Sequence, residues 1–217
     1  MELTTDSMEE NLPRREREKA AHRKEIMEAA IRVFARRGVH AATLDEVALE
    51  AEFSKGTIYL YFSSKEDLLF NILNNLSQNM ITTFREAISG KRSFKEELHD
   101  LFVTIAEFSF NYKDHMKIVT GQHVAGFNAL SKEGCEKLLK MHNEMVKIIL
   151  DRAREAFRKG ELRDLPLEAI TSMIHGSLDG MAISRWNFET LEEAKQAVNV
   201  FIDILFNGIG KGKEKKS

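Results

Sequence analysis

Apolar residues recur along this chain at helical spacing, and the stretch from Thr43 to Asp67 compresses three helix starts into 25 residues. Leu44, Val47, Ala48 and Ala51 fall at i, i+3, i+4 and i+7, one apolar stripe on a helix of about two turns. Thr43, followed three residues later by Glu46, is a capping-box signature for its start. Beyond Glu52-Phe53, Ser54 is placed to cap a second short helix that exposes Lys55, Gly56, Thr57 and Tyr59 and turns Ile58 and Phe62 inward. Ser64 and Asp67 then open a third helix. Two short helices at a steep angle, the second carrying small, polar and basic residues, make the helix-turn-helix arrangement that enters a DNA major groove.

The rest of the chain reads as helix. Ile26, Ala30, Val33 and Phe34 form the inner face of a first helix that stops at Gly38. Leu68 to Phe84 continues a long helix, broken at Ser89-Gly90-Lys91, and Phe94 to Phe108 marks the next. From about Asp114 to Ala129 the pattern loses its period and predicts a less regular segment. Ser131–Lys159 is a long amphipathic helix ended by Gly160. Pro166 sits in the first turn of a helix running to about Asn187, and Leu191–Asn207 forms the last. No strand, internal repeat or sustained heptad emerges. The pattern predicts an all-α protein with a small N-terminal three-helix unit and a larger C-terminal helical bundle.

Composition narrows the class. At 217 residues, with 43% apolar positions and two prolines, the chain can bury a substantial core. Residues 1–12 and the lysine-rich 209–217 are too polar to join it and are expected to be disordered. The formal net charge is −2, which excludes a basic nucleic-acid coat. Between Leu12 and Ala41, however, nine cations face four anions, a local excess that suits a polyanionic partner. The basic run Arg14 to Lys24 reads either as an arm reaching an adjacent groove or as a solvated helix extension. One cysteine, Cys135, excludes an intramolecular disulfide and fits the cytoplasm. No apolar run reaches membrane length, and the first 25 residues are too charged for a signal peptide.

The segment from Ile26 to Leu69, with AAIRVFARRG, ATLDEVALEAEFSKGTIYLYF and SSKEDLL, resembles the DNA-binding domain of the tetracycline-repressor (TetR) family. The resemblance implies a helix-turn-helix DNA-binding domain over residues 13–66 and a ligand-binding and dimerisation domain over 67–208. The protein would then be a homodimeric transcription regulator, a repressor that binds a palindromic double-stranded operator and is released by a small, largely apolar effector. The effector would tilt the helix that begins near Ser64. No cofactor, metal or membrane is implied.

The residues make chemical sense in those roles. Ser54 and the first N–H groups of the second helix suit a phosphate, and Gly56 permits close approach. Lys55 can reach a phosphate or a guanine edge, Thr57 a phosphate or a thymine methyl, and Tyr59 a phosphate oxygen. The resemblance adds Thr43 and Lys65 as backbone contacts and Tyr61 at a contact position. Leu60 offers only an apolar contact. For the dimer, Gly176 and Gly180 permit close helix approach, and Val198, Phe201, Ile202 and Leu205 give the last helix a broad apolar surface. For the effector, Phe102, Phe108, His123, Phe127, His142, Met145 and Met173 supply large, adaptable side chains with an occasional polar tip.

Two rivals are weaker. A C-terminal bundle that binds a protein partner would keep the same DNA-binding unit. An all-α metal-dependent enzyme would need paired Glu-x-x-His motifs, whereas Glu96 and His99 supply a single copy. No H-E-x-x-H, G-x-S-x-G or Walker spacing is present, so the chain is read as a non-enzyme.

Overall fold

The computed structural model describes residues 13–125, 128–183 and 188–208, with side chains for all of these except 122–125, 182 and 183. Among the described residues the chain forms nine helices and no strand. They are α1 (Arg14–Arg37), α2 (Leu44–Glu50), α3 (Lys55–Tyr61), α4 (Lys65–Ala87), α5 (Phe94–Asn111), α6 (Lys113–Ala125), α7 (Lys132–Arg158), α8 (Leu167–Ile183) and α9 (Leu191–Asn207). The all-α expectation holds. The segments expected to be disordered, 1–12 and 209–217, lie outside the described residues, as do 184–187 at the expected end of α8.

Two compact units share the chain. Unit 1 takes residues up to Thr82 together with Asn111–Lys147; unit 2 takes Thr83–Phe110 and the chain from Ile148 onward. This division differs from the functional boundary at 66/67 read from the sequence.

In unit 1, Ile26, Ala30, Val33 and Phe34 of α1 meet Val47 and Ala48 of α2, Ile58 and Phe62 at α3, and Leu68, Leu69, Ile72 and Leu73 of α4 in one core. Gly38 ends α1 with a φ of 77°, its N–H donating to Phe34 O. The segment expected to be irregular after Asp114 is instead mainly helical. α6 packs on α1 and places Ile118 in the same core. Its sequence carries too few apolar positions for a stripe, and tertiary packing decides its state.

In unit 2, Leu98, Leu101 and Phe102 of α5, Ile149 and Ala153 of α7, Ile174 and Leu178 of α8, and Val198 and Ile202 of α9 are buried. A charged knot lies among them. α7 ends in a Schellman turn in which Gly160, at φ 75°, and Glu161 donate to Phe157 O and Ala156 O. That turn delivers Glu161 to the N–H of Phe94 at 2.6 Å. Arg152 Nε donates to the buried Glu97 at 2.7 Å, and its Nη2 donates to Arg92 O and reaches Glu161. Glu97 also accepts from the N–H of Lys91, so the loop between α4 and α5 is fastened from inside. Burial pulls the Arg152 guanidinium down, but the hydrogen bond and charge of Glu97, with Glu161, hold it above its ordinary value.

Candidate nucleic-acid interface

The helix-turn-helix is built from local capping chemistry. Thr43 accepts the N–H of Glu46 at 3.2 Å, while the Glu46 carboxylate accepts the N–H of Thr43 at 2.9 Å, completing the expected capping box. The hydrogen bond from the Thr43 backbone, with Arg37 nearby, holds the Glu46 carboxyl below its ordinary value. α2 ends in a second Schellman turn: Glu52 N–H donates to Leu49 O, and Phe53 N–H to Ala48 O. Glu52 occupies the left-handed position of that turn at φ 58°. Ser54 then caps α3 by accepting the N–H of Thr57 at 3.1 Å, and its Oγ pairs with Thr57 Oγ1 at 2.8 Å. Ser64 caps α4 through the N–H of Asp67.

Charge fastens these elements to one another. Glu50 accepts from Arg32 at 2.7 Å and Arg36 at 3.1 Å, tying α2 to α1. The Lys55 ammonium meets Asp45 at 2.7 Å, and this hydrogen bond and charge raise its pKa.

The outward face of α3 is the candidate interface. Ile58 and Phe62 are buried as expected, whereas Tyr59 is 51% and Leu60 79% exposed. Lys55 and Gly56 are also exposed. A Cβ added at Gly56 would meet only Ser54 Oγ, at 3.7 Å, so packing within the chain does not require a glycine there.

Two of the named side chains are engaged within the fold. Tyr61 is half-buried, its hydroxyl 3.2 Å from His22 Nδ1 and its carbonyl accepting from Arg23 at 3.1 Å. Lys65 donates to His40 O and Ala42 O, both at 2.9 Å, closing the loop between α1 and α2. No sequence pattern marks His22 or Asp45, and Arg23 falls within the basic run Arg14 to Lys24. Arg23 also donates to Asn71 at 2.6 Å and lies 4.4 Å from the centre of the Phe62 ring. These partners stand 38 to 48 residues away, beyond the reach of any local pattern. The basic run from Arg14 is the first part of α1.

Val198 and Ile202, expected at a dimer interface, are 0% and 3% exposed; both belong to the core of unit 2 because their stripe packs inside the protomer. Phe201 and Leu205 are half-buried, and Phe201 lies 4.7 Å from Phe102, ring to ring. A Cβ added at Gly176 or Gly180 would meet nothing within 4 Å. Among the residues expected to line a pocket, Phe102 and Phe108 are buried in unit 2. His142 and Met145 are half-buried on the part of α7 in unit 1. Met173 is 64% exposed on α8, on the solvent side of a helix whose inner face is Ile174 and Leu178, which corrects its assignment to a pocket. The side chain of His123, and Phe127, lie outside the described residues. Glu96 and His99 do not converge on a metal-like pair: Glu96 closes a capping box with Ser93, and His99 bonds Asn199 at 2.7 Å.

The model of bacterial regulatory proteins, tetR family, matches residues 26–72, the span that builds this interface. The uncharacterized HTH-type transcriptional regulator YhgD of Bacillus subtilis is 30% identical over 141 residues, covering 65% of this chain and 72% of that protein. The chain belongs to the tetR family. As a tetR-family protein it is a helix-turn-helix transcription regulator that binds DNA. The fatty acid metabolism regulator protein of Bacillus subtilis is 29% identical over 188 residues, covering 85% of this chain and 94% of that protein. The tetR fold extends through the C-terminal helices. The crystal structure of the transcriptional regulator FadR from Bacillus subtilis, in complex with stearoyl-CoA, matches 86% of this chain and 99% of that one with a TM-score of 0.68 and 24% identity. Among the described residues of this tetR protein, no helix is long and apolar enough to cross a membrane.

Proposed function

We propose that this regulator is a homodimeric repressor that grips a palindromic operator with α3 and lets go when a long-chain acyl thioester binds its C-terminal helices. The observation that carries the reading is Gly56. Glycine is a poorer helix former than alanine, and a Cβ at this position, the second residue of α3, would meet only Ser54 Oγ at 3.7 Å. Its absent side chain leaves room for an external surface, beside Lys55 and Tyr59. Thr43, Ser54, Thr57 and Lys65 frame that surface, and Tyr61 supports it from behind. Two copies would present their α3 helices to half-sites roughly 34–36 Å apart.

The functional division falls at residues 13–66 for DNA and 67–208 for effector binding and dimerisation. The acyl effector is suggested by the relative named for fatty acid metabolism and by the stearoyl-CoA held in the similar structure. It is consistent with an apolar interior that includes Phe102 and Phe108. The effector acts only through its differential affinity for the two states; full switching from 1:99 to 99:1 takes about 5.5 kcal/mol. For the dimer face, Gly176 and Gly180 meet open space within the protomer, and Val200 and Ile204 point outward beside Phe201 and Leu205. The protein acts in the cytoplasm and has no catalytic role.

Fluorescence anisotropy with a fragment of the protein's own promoter tests this. Gly56→Ala is expected to match or exceed the parent in urea stability and to bind at least tenfold more weakly; Lys55→Ala and Tyr59→Ala weaken binding too, Lys55→Ala with a shallower salt slope. Stearoyl-CoA is expected to release the parent. Unchanged affinity and salt slope in all three variants would overturn the DNA assignment, and indifference to stearoyl-CoA would overturn the effector.

A further inference from the structure

We infer that Leu60 is a specificity-determining residue that reads one thymine in each operator half-site through the thymine 5-methyl group. The inference rests on the reading of α3 as the DNA-facing helix. Along α3 the side chains divide into three sets. Ile58 and Phe62 are buried. Ser54 and Thr57 bond each other, Lys55 bonds Asp45, and Tyr61 bonds His22, so these polar groups have partners in the free protein. Tyr59 and Leu60 point away from the core, and among the described residues Leu60 is the most exposed large apolar side chain after Leu49.

Leu60 stands four residues after Gly56, one helical turn along the same face, with no side chain at the glycine to separate it from an approaching surface. A leucine has neither donor nor acceptor, so it reads no hydrogen-bonding edge and holds no phosphate. The distinctive apolar group that a base pair presents in the major groove is the thymine methyl. Covering that methyl and the leucine together removes apolar surface from water on both partners, and the gain vanishes when either one is absent. The contact would discriminate thymine from cytosine where no hydrogen bond does.

The experiment first selects binding sites with the full-length protein from a random duplex library. Each thymine of the selected half-site is then replaced singly by deoxyuridine, which removes the methyl and leaves base pairing intact. The parent is expected to lose about three- to tenfold in affinity at one thymine per half-site. Leu60→Ala is expected to bind the methylated and methyl-free sites equally, whereas Leu60→Met, which keeps an apolar reach, retains the discrimination. Thermal melts of both variants should match the parent, because the side chain is 79% exposed. A parent that binds its selected site but is indifferent to every methyl overturns this inference and leaves the DNA reading intact. Retention of methyl sensitivity by Leu60→Ala also overturns it. A parent that selects no site at all overturns the DNA reading itself.

Discussion

Asp45 holds Lys55: the carboxylate near the start of α2 lies 2.7 Å from the ammonium of the first residue of α3, and both side chains face solvent. The pair places a negative charge beside the cation of the proposed DNA-facing helix. Asp45→Asn is expected to tighten operator binding several-fold and to steepen the dependence of log K on log salt by about one. Anisotropy titrations at several salt concentrations measure both, and unchanged values would mean that Lys55 stays clear of the phosphates.

The turn between α2 and α3 carries a correctable strain. Glu52 takes a φ of 58°, a conformation that costs a side-chain-bearing residue about 1–2 kcal/mol and glycine almost nothing. Glu52→Gly is expected to raise stability by roughly 0.5–1 kcal/mol after the added freedom of the unfolded chain is subtracted. Urea denaturation reads the change; a loss of stability would show that the Glu52 side chain makes contacts worth more than the strain.

Acid should loosen the α1–α2 joint. Hydrogen bonds from Arg32 and then Arg36 hold the Glu50 carboxyl below its ordinary value of 4.5. A carboxyl depressed in the folded state contributes stability above its unfolded pKa, and that contribution disappears as the pH falls through the folded one. Melting temperatures taken from pH 7 down to pH 3 should therefore drop below about pH 4.5, and Glu50→Gln should be less stable at pH 7 and show a shallower drop. Parallel curves for the two proteins would remove Glu50 from the account.

In unit 2 the sensitive point is Arg152. Arg152→Met leaves the buried Glu97 without its charge partner, and such a loss costs about 3–5 kcal/mol. Pairing it with Glu97→Gln is expected to recover a large part of that cost, because the remaining amide still meets the N–H groups of the α4–α5 loop. Equilibrium denaturation of the two single variants and the double variant gives the coupling; a purely additive result would show that the two groups act independently.

How much of this could be read from the sequence follows the range of each interaction. The Thr43–Glu46 box and the Ser54 cap span three residues, and both were legible. Local periodicity turns Ile58 and Phe62 inward, and both are buried. Periodicity shows that a stripe is covered, not what covers it, so Val198 and Ile202 read as a partner-facing surface although the protomer itself buries them. α6 has so weak a stripe that local pattern does not reveal it, and in the fold it packs against α1. The engagement of Tyr61 and Lys65 was hidden for the same reason: their partners lie tens of residues away in the chain.

His22 and Arg23 give this a practical edge. They hold the hydroxyl and carbonyl of Tyr61 and the amide of Asn71, yet both precede Ile26, where the match to the tetR family model begins. A fragment trimmed to residues 26–72 would keep every residue of α3 and lose the side chains that anchor its far end. The edge of the family-model match and the edge of mechanical integrity differ by about one helical turn, and the working DNA reader is the longer of the two.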